Sequence, residues 1–295
     1  MNQLQIRARK KALQNENLVS LIELANERQD HYLKASQCCS AGEIKEGKVV
    51  MRYCRSRICR ICNNIKTATL INKYQSQFDI AKTYFVTLTF KNVEKERLRQ
   101  SLKDQKRILY NTRQALRRKG INLSGIYTTE ITYNEETKEY HPHIHMMVEG
   151  SFADCEELVC CWVARSNKMG YNCSFLAQDI QKVSGAESFK ELFKYVSKWY
   201  KDKEGKLDAY VVDTIIEATW GLRMVQTFGD IVAQSEEIQE ESTIPINAIE
   251  GDMFLWAADD WYSITTGESL SKLLPPKKLR TPKFCTTIHL SGPSQ

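Results

Sequence analysis

What the chain lacks narrows its reading first. No stretch of the 295 residues is apolar for long enough to cross a bilayer, and Met1 to Lys11 are polar and basic with no signal-type run. These absences set aside membrane-embedded and exported classes, and a cytoplasmic location is expected. Internal repeats and long low-complexity tracts are also missing, which removes repeat arrays. A strong net charge is missing too, the balance being +6 at pH 7. Its distribution is uneven, however. Residues 1–82 carry 15 Lys and Arg against 7 Asp and Glu, whereas Asp230 to Glu268 holds 10 acidic residues and no basic one. A basic front half suits a polyanionic partner.

The remaining composition is that of a globular protein able to bury a substantial core. Its ten cysteines are expected to be reduced in the cytosol, so clustered ones point to metal before disulfide. Three regions follow from composition. Residues 1–82 form a basic, cysteine-rich N-terminal region, 83–228 alternate strand and helix patterns, and 229–295 form an acidic appendage with a basic tail. In the middle region, Thr83 to Phe90 reads as a buried strand. Glu94 to Lys119 reads as an amphipathic helix that Gly120 stops. Gly125 to Tyr133 and Tyr140 to Val148 read as a hairpin, and Phe152 to Lys168 and Glu187 to Tyr200 as two further helices. Trp256 and Trp261, within the acidic segment, offer an assembly or host-factor surface.

The most informative stretch is His141-Pro142-His143-Ile144-His145. Residues two apart on a strand share a face, so His143 and His145 present two imidazoles side by side. A turn that sets Tyr133 opposite Tyr140 also sets Glu130 opposite His143 and Thr128 opposite His145, and opposed residues share a face. Two imidazoles and a carboxylate then converge as a metal site with room for substrate oxygens, suited to Mn²⁺ or Mg²⁺, with Zn²⁺ also compatible. A slip of one residue would turn Glu130 away.

The helix from Glu187 supplies the next component. Phe189, Leu192, Phe193, Val196, Trp199 and Tyr200 gather on an apolar side, while Glu191, Tyr195 and Lys198 gather on the other. Tyr200 reads as core. Tyr195, off the buried stripe between a carboxylate and a lysine, is available for chemistry. A phenol is a poor nucleophile at neutral pH. It becomes useful when a metal ion polarises the phosphodiester and positive charge, here Lys198 or the metal, stabilises the phenolate. Transesterification of DNA is the chemistry these parts suit.

Cys54-x4-Cys59-x2-Cys62 lies among Arg52, Arg55, Arg57 and Arg60, with Cys38-Cys39 upstream. Two thiolates two residues apart make a zinc half-site. A structural zinc held by Cys39, Cys54, Cys59 and Cys62 is expected, with Cys38 as the alternative to Cys39 and His31 also available. The arginines would then contact phosphates. Cys155, Cys160, Cys161, Cys173 and Cys285 read as small apolar residues.

Phe85-Val86-Thr87-Leu88-Thr89-Phe90, the His141–His145 segment and Lys194-Tyr195-Val196-Ser197-Lys198 together resemble the three ordered motifs of HUH endonucleases. They are most similar to the Rep proteins of small Gram-positive rolling-circle plasmids, and the resemblance covers about half the chain. It implies an α+β fold with a central antiparallel sheet flanked by helices. It also implies that Tyr195 nicks the plasmid origin, leaving a 5′-phosphotyrosine link and a free 3′-OH, and that Glu191 activates water at termination. Origin DNA, a host helicase and a host DNA polymerase are the implied partners, in the bacterial cytoplasm. Two alternatives keep the same residues in view. One is another HUH enzyme, a single-tyrosine transposase or a relaxase with His141 as a third histidine ligand. The other is a non-catalytic zinc-dependent DNA-binding regulator.

Overall fold

The structure, a computed structural model, describes residues 3–185, 187–194, 207–232 and 249–273. The fold is α+β with two antiparallel sheets. The larger has five strands in the order β6-β3-β5-β4-β7, formed by β3 (Thr83–Thr89), β4 (Ser124–Asn134), β5 (Glu139–Glu149), β6 (Asp179–Lys182) and β7 (Val225–Phe228). At its centre is the β4–β5 hairpin. The Asn134 side chain accepts from the backbone N–H groups of Glu136 (2.9 Å) and Thr137 (3.2 Å), and Lys138 takes a left-handed φ of 55°, so the turn is locally specified. Tyr133 then opposes Tyr140 and Glu130 opposes His143, the register that turn arithmetic predicts. Gly125 lets the strands lie close, since a Cβ there would come 2.2 Å from the Met147 carbonyl oxygen.

Strand alternation gives the sheet two unlike faces. One presents Val86, Leu88, Ile144, Met146 and Val148, all fully buried. They pack with α4 (Lys95–Arg118) and α5 (Phe152–Lys168), which send Leu98, Leu102, Leu109, Leu158 and Trp162 into the same core. A capping box between Ser151 and Asp154 starts α5. The other face is divided. At one end Ile126 and Met147 pack with Phe189, Leu192 and Phe193 of α6 (Glu187–Lys194) and with Leu70 and Tyr74 of α3 (Arg60–Tyr74). At the other end β3 carries Thr89, β4 carries Glu130, and β5 carries His141 and His143.

A smaller sheet, in the order β2-β1-β8-β9, joins distant parts of the chain. Strands β1 (Ala41–Lys45) and β2 (Lys48–Met51) come from the cysteine-rich region; β8 (Met253–Ala257) and β9 (Asp260–Ser263) come from the acidic one. Around it pack α1 (Gln3–Ile22), α2 (Gln29–Ser36) and α7 (Ala209–Thr219), in a second core. Trp261 is fully buried there, and its indole N–H donates to the Cys39 carbonyl. Trp256 packs edge-on against it at 4.9 Å. The expected tryptophan docking surface is therefore corrected: Trp261 is core, because β9 needs an apolar anchor against the cysteine turn. Among the other cysteines, Cys155 and Cys173 are buried as small apolar residues should be, but Cys160 is exposed; Cys285 lies outside the described residues.

Candidate metal centre and nucleic-acid interface

Three side chains converge on the polar end of the large sheet. Glu130 on β4 and His143 and His145 on β5 are each at least nine-tenths buried. The two imidazole Nε2 atoms approach a single carboxylate oxygen, Glu130 Oε2, at 2.8 Å and 3.0 Å. Behind them, His143 Nδ1 lies 3.1 Å from the His141 carbonyl oxygen, and His145 Nδ1 lies 3.1 Å from Thr87 Oγ1. A carbonyl only accepts, so the His143 proton sits on Nδ1 and its Nε2 lone pair faces the carboxylate. With the ring neutral, that lone pair is repelled by the anionic oxygen unless a cation lies between them, and the His145 Nε2 meets the same oxygen. The donor set therefore fits a metal ion, with outer partners fixing the ring orientations.

His141 stands two register pairs further along, opposite Thr132 and on the same face. Its Nε2 bonds the Thr89 hydroxyl, and burial, then the neighbouring His143, pushes its pKa down. It lies outside the group formed by Glu130, His143 and His145, so the described geometry offers one carboxylate and two histidines rather than a three-histidine set. Thr87 and Thr89 escaped the reading of β3 as a simple buried strand. Their spacing of two, on the strand that pairs with β5, is the signal that places them on the histidine face.

The helix α6 docks beside this centre. Thr128, two residues from Glu130 on the same face, donates from its hydroxyl to the Leu192 carbonyl at 3.0 Å. The Thr67 hydroxyl donates to the Phe193 carbonyl at 3.4 Å. The C-terminal end of α6 is thus held against the sheet next to the Glu130 row. Glu191, with Lys10, Asn64, Thr67 and Lys190, lines an open groove of 740 Å³ beside α3. Tyr195 and Lys198 lie outside the described residues, as does Tyr200.

A second cluster gathers the sulfurs of Cys38, Cys54, Cys59 and Cys62, all within 4.8 Å of one another. Cys38 thus takes the place expected of Cys39. The reason is the backbone: Cys39 adopts a left-handed φ of 56°, its N–H bonds the Arg52 carbonyl, and its own carbonyl accepts from Trp261. That turn commits Cys39 to the sheet and leaves Cys38 to face the knuckle. Cys59 caps α3, accepting from the Cys62 N–H at 3.4 Å. Hydrogen bonds from Cys38, Cys59 and Cys62 hold the Cys54 thiol far below its ordinary range, and the same sharing pushes Cys59 and Cys62 up. Four clustered sulfurs, three of them buried and Cys54 half-buried, are a donor set for a tetrahedral soft cation. His31 does not join it; its Nε2 pairs with Ser56 Oγ at 2.9 Å.

The four arginines of this region separate. Arg52 and Arg55 are exposed and Arg60 is half-buried. Arg57 is exposed as well, but its guanidinium is engaged, donating to the Thr219 carbonyl (3.1 Å) and to that of Leu222.

Residues 48–254, from β2 to β8, match the replication protein family Rep_1. A Protein rep of Streptococcus pneumoniae is 29% identical over 112 residues, covering 34% of this chain and 34% of that protein. One from Lentilactobacillus hilgardii is 27% identical over 148 residues, covering 42% and 46%. A third, from Staphylococcus aureus, is 29% identical over 104 residues, covering 32% and 44%. The matched segments span between about a third and just under half the length of these relatives. No solved structure matches the chain. The match over 48–254 spans most of the chain and takes in both candidate metal clusters apart from Cys38, and the chain belongs to the Rep_1 family of replication proteins.

Proposed function

We propose that this chain is a plasmid rolling-circle replication initiator that nicks origin DNA by metal-dependent tyrosine transesterification. The observation that carries the reading is the convergence of His143, His145 and Glu130 on one point. Bound there, Mn²⁺ or Mg²⁺ would polarise the scissile phosphodiester. His143 and His145 are oriented for it by the His141 carbonyl and the Thr87 hydroxyl. Tyr195 is the nucleophile: it directly follows the described end of α6, which Thr128 and Thr67 hold beside the Glu130 row. Its phenolic oxygen attacks phosphorus, a phosphotyrosine ester forms, and the 3′-oxygen of the preceding nucleotide leaves as the primer end. Lys198 stabilises the phenolate. Glu191, one turn before the tyrosine and lining the groove against α3, activates the terminating water.

In this reading residues 83–228 are the nickase domain. Cys38, Cys54, Cys59 and Cys62 hold a structural Zn²⁺ in the N-terminal region, and residues 229–295 append to it through β8 and β9. Arg52, Arg55 and Arg60 contact origin phosphates, whereas Arg57 has its helix carbonyls to hold. A host helicase and DNA polymerase use the 3′-OH in the bacterial cytoplasm. The test is cleavage of a single-stranded origin oligonucleotide with Mn²⁺, wild type against Tyr195→Phe. A metal-dependent covalent adduct, absent from the variant, is expected. An adduct that persists in Tyr195→Phe would overturn the assignment of the nucleophile.

A further inference from the structure

The loop after α7 carries an unusual concentration of cations around one exposed tryptophan. Helix α7 ends at Thr219, and Trp220 and Gly221 follow, the glycine with a left-handed φ of 73°. Three side chains from other elements hold the carbonyls of this turn. Arg99 on α4 donates to Ala218 (3.0 Å) and Trp220 (2.9 Å), Arg57 donates to Thr219 and Leu222, and Lys106 donates to Arg223. Held so firmly, the turn still leaves Trp220 51% exposed. The indole rests against His31, ring centroids 4.9 Å apart and nearly perpendicular, and His31 is fixed in turn by Ser56. Trp220, His31 and Arg55 line a cavity of 230 Å³, smaller than the roughly 300–1,000 Å³ that encloses a whole small-molecule ligand. Arg55 in that lining is exposed, and so is Arg223, three residues after Trp220 in the same turn.

A rigid, exposed indole ringed by cations has the chemistry of a base-stacking platform. Unpaired bases stack on aromatic faces irrespective of sequence, while arginines track the backbone phosphates. The turn also leads into β7, the strand paired with the one that carries Glu130. Four residues after Trp220, the Met224 carbonyl accepts from the Thr129 N–H at 3.1 Å, and Val225 opposes Thr128. Four residues span at most about 14 Å, which bounds how far the indole's backbone lies from the part of β4 that leads to Glu130.

We propose that Trp220, backed by His31 and flanked by Arg55 and Arg223, is a subsite that stacks one unpaired base of single-stranded DNA next to the nick. This rests on the nickase reading for its biological setting, but its test needs no cleavage. The full-length, zinc-loaded protein would be titrated with a fluorescent single-stranded origin oligonucleotide without added Mn²⁺ or Mg²⁺, over a range of salt. Trp220→Ala is expected to weaken binding about tenfold with the salt slope unchanged, and Trp220→Phe to recover most of the loss. Arg223→Ala is expected to lower the slope of log Kd against log salt by about 0.7. Photocrosslinking with an iododeoxyuridine oligonucleotide should label the peptide containing Trp220.

Wild-type affinity in Trp220→Ala, with no crosslink at that peptide, would overturn the subsite whether or not the protein nicks. An equal loss for blunt duplex would also overturn it, since a stacking platform needs an unpaired base. A stacking-dependent affinity in a protein that forms no Mn²⁺-dependent adduct would instead leave the subsite standing and remove the nickase.

Discussion

The two metal-ligand clusters are built by opposite strategies. The Glu130, His143 and His145 group comes from two adjacent strands of a single hairpin, 11 residues each. One register decides all three positions at once. The cysteine group is gathered from a turn before β1, the segment after β2 and the first turn of α3. It is then locked by contacts from far away in sequence: Trp261 on the Cys39 carbonyl, and the buried Lys11 ammonium on the carbonyls of Ser36 and Cys38 (3.0 and 2.6 Å). A cluster that one hairpin specifies can exist with or without its ligand. A cluster drawn from three segments holds those segments together, and a cation bound there becomes part of the fold.

The sharpest way to break this comparison is to remove one ligand from each side. Cys38→Ser is expected to lose bound zinc and to cost on the order of 5 kcal/mol or more of stability, because metal binding at such sites is folding free energy. Cys39→Ser should keep its zinc. Glu130→Gln should leave the unfolding transition within about 1 kcal/mol of wild type while abolishing the metal-dependent adduct. Elemental analysis together with chemical denaturation reads all three. Retention of zinc in Cys38→Ser with loss in Cys39→Ser would reverse the ligand assignment.

The same contrast explains what the sequence could disclose. The hairpin register was legible because the turn is short and strand periodicity is exact at two, so Tyr133 opposite Tyr140 carries Glu130 to His143 without further information. The choice between Cys38 and Cys39 was not, since adjacent cysteines differ only in which way a left-handed turn at Cys39 sends them. Nor was the pairing of β1 with β8, whose partners lie some two hundred residues apart, Ala41 facing Leu255. Composition separates the acidic segment from the basic front; the antiparallel ladder between them, and the burial of Trp261, follow only from tertiary packing. Helix α7 carries its apolar residues into two cores at once, Val212 into one and Val211 into the other, so it shows no single apolar stripe to detect.

Because α7 belongs to both cores, its anchor tests whether the two regions unfold as one. Asp213 on α7 receives Arg28 in a two-point pair (2.8 and 2.6 Å), Asn26 at 2.9 Å, and the Tyr32 hydroxyl. Burial alone would raise the Asp213 carboxyl, but the hydrogen bonds from Arg28, Tyr32 and Asn26 outweigh it and the pKa is lowered. The folded value being the lower one, the stabilisation is complete above the unfolded value near ~3.9 and is lost as pH falls through the folded value. Asp213→Asn is expected to cost about 2–3 kcal/mol at neutral pH, the pair being mostly but not wholly buried. It should also flatten the fall of stability with acid. Urea unfolding across the acid range measures both, and a variant with unchanged acid sensitivity would show that Asp213 does not couple the two regions.

The smallest expected effect falls on the histidine side, where the ligands are already set by the strands and an outer partner only refines them. Thr87 pairs across β3–β5 with His145, and its hydroxyl meets the imidazole Nδ1 at 3.1 Å. Thr87→Val keeps the β-branched shape that suits a strand and deletes the oxygen. His145 would keep its place but lose the bond that fixes its ring, and an outer partner of this kind is worth about 10–100-fold in metal affinity. Since Glu130 and His143 remain, the lower end applies: about a tenfold higher Mn²⁺ concentration for half-maximal adduct formation, with the plateau rate nearly unchanged. Thr87→Ser, which restores the hydroxyl, should return most of that affinity. A reduced plateau at saturating Mn²⁺ would instead assign Thr87 to the reacting phosphate, and no change in either quantity would mean that the strands alone aim the imidazole.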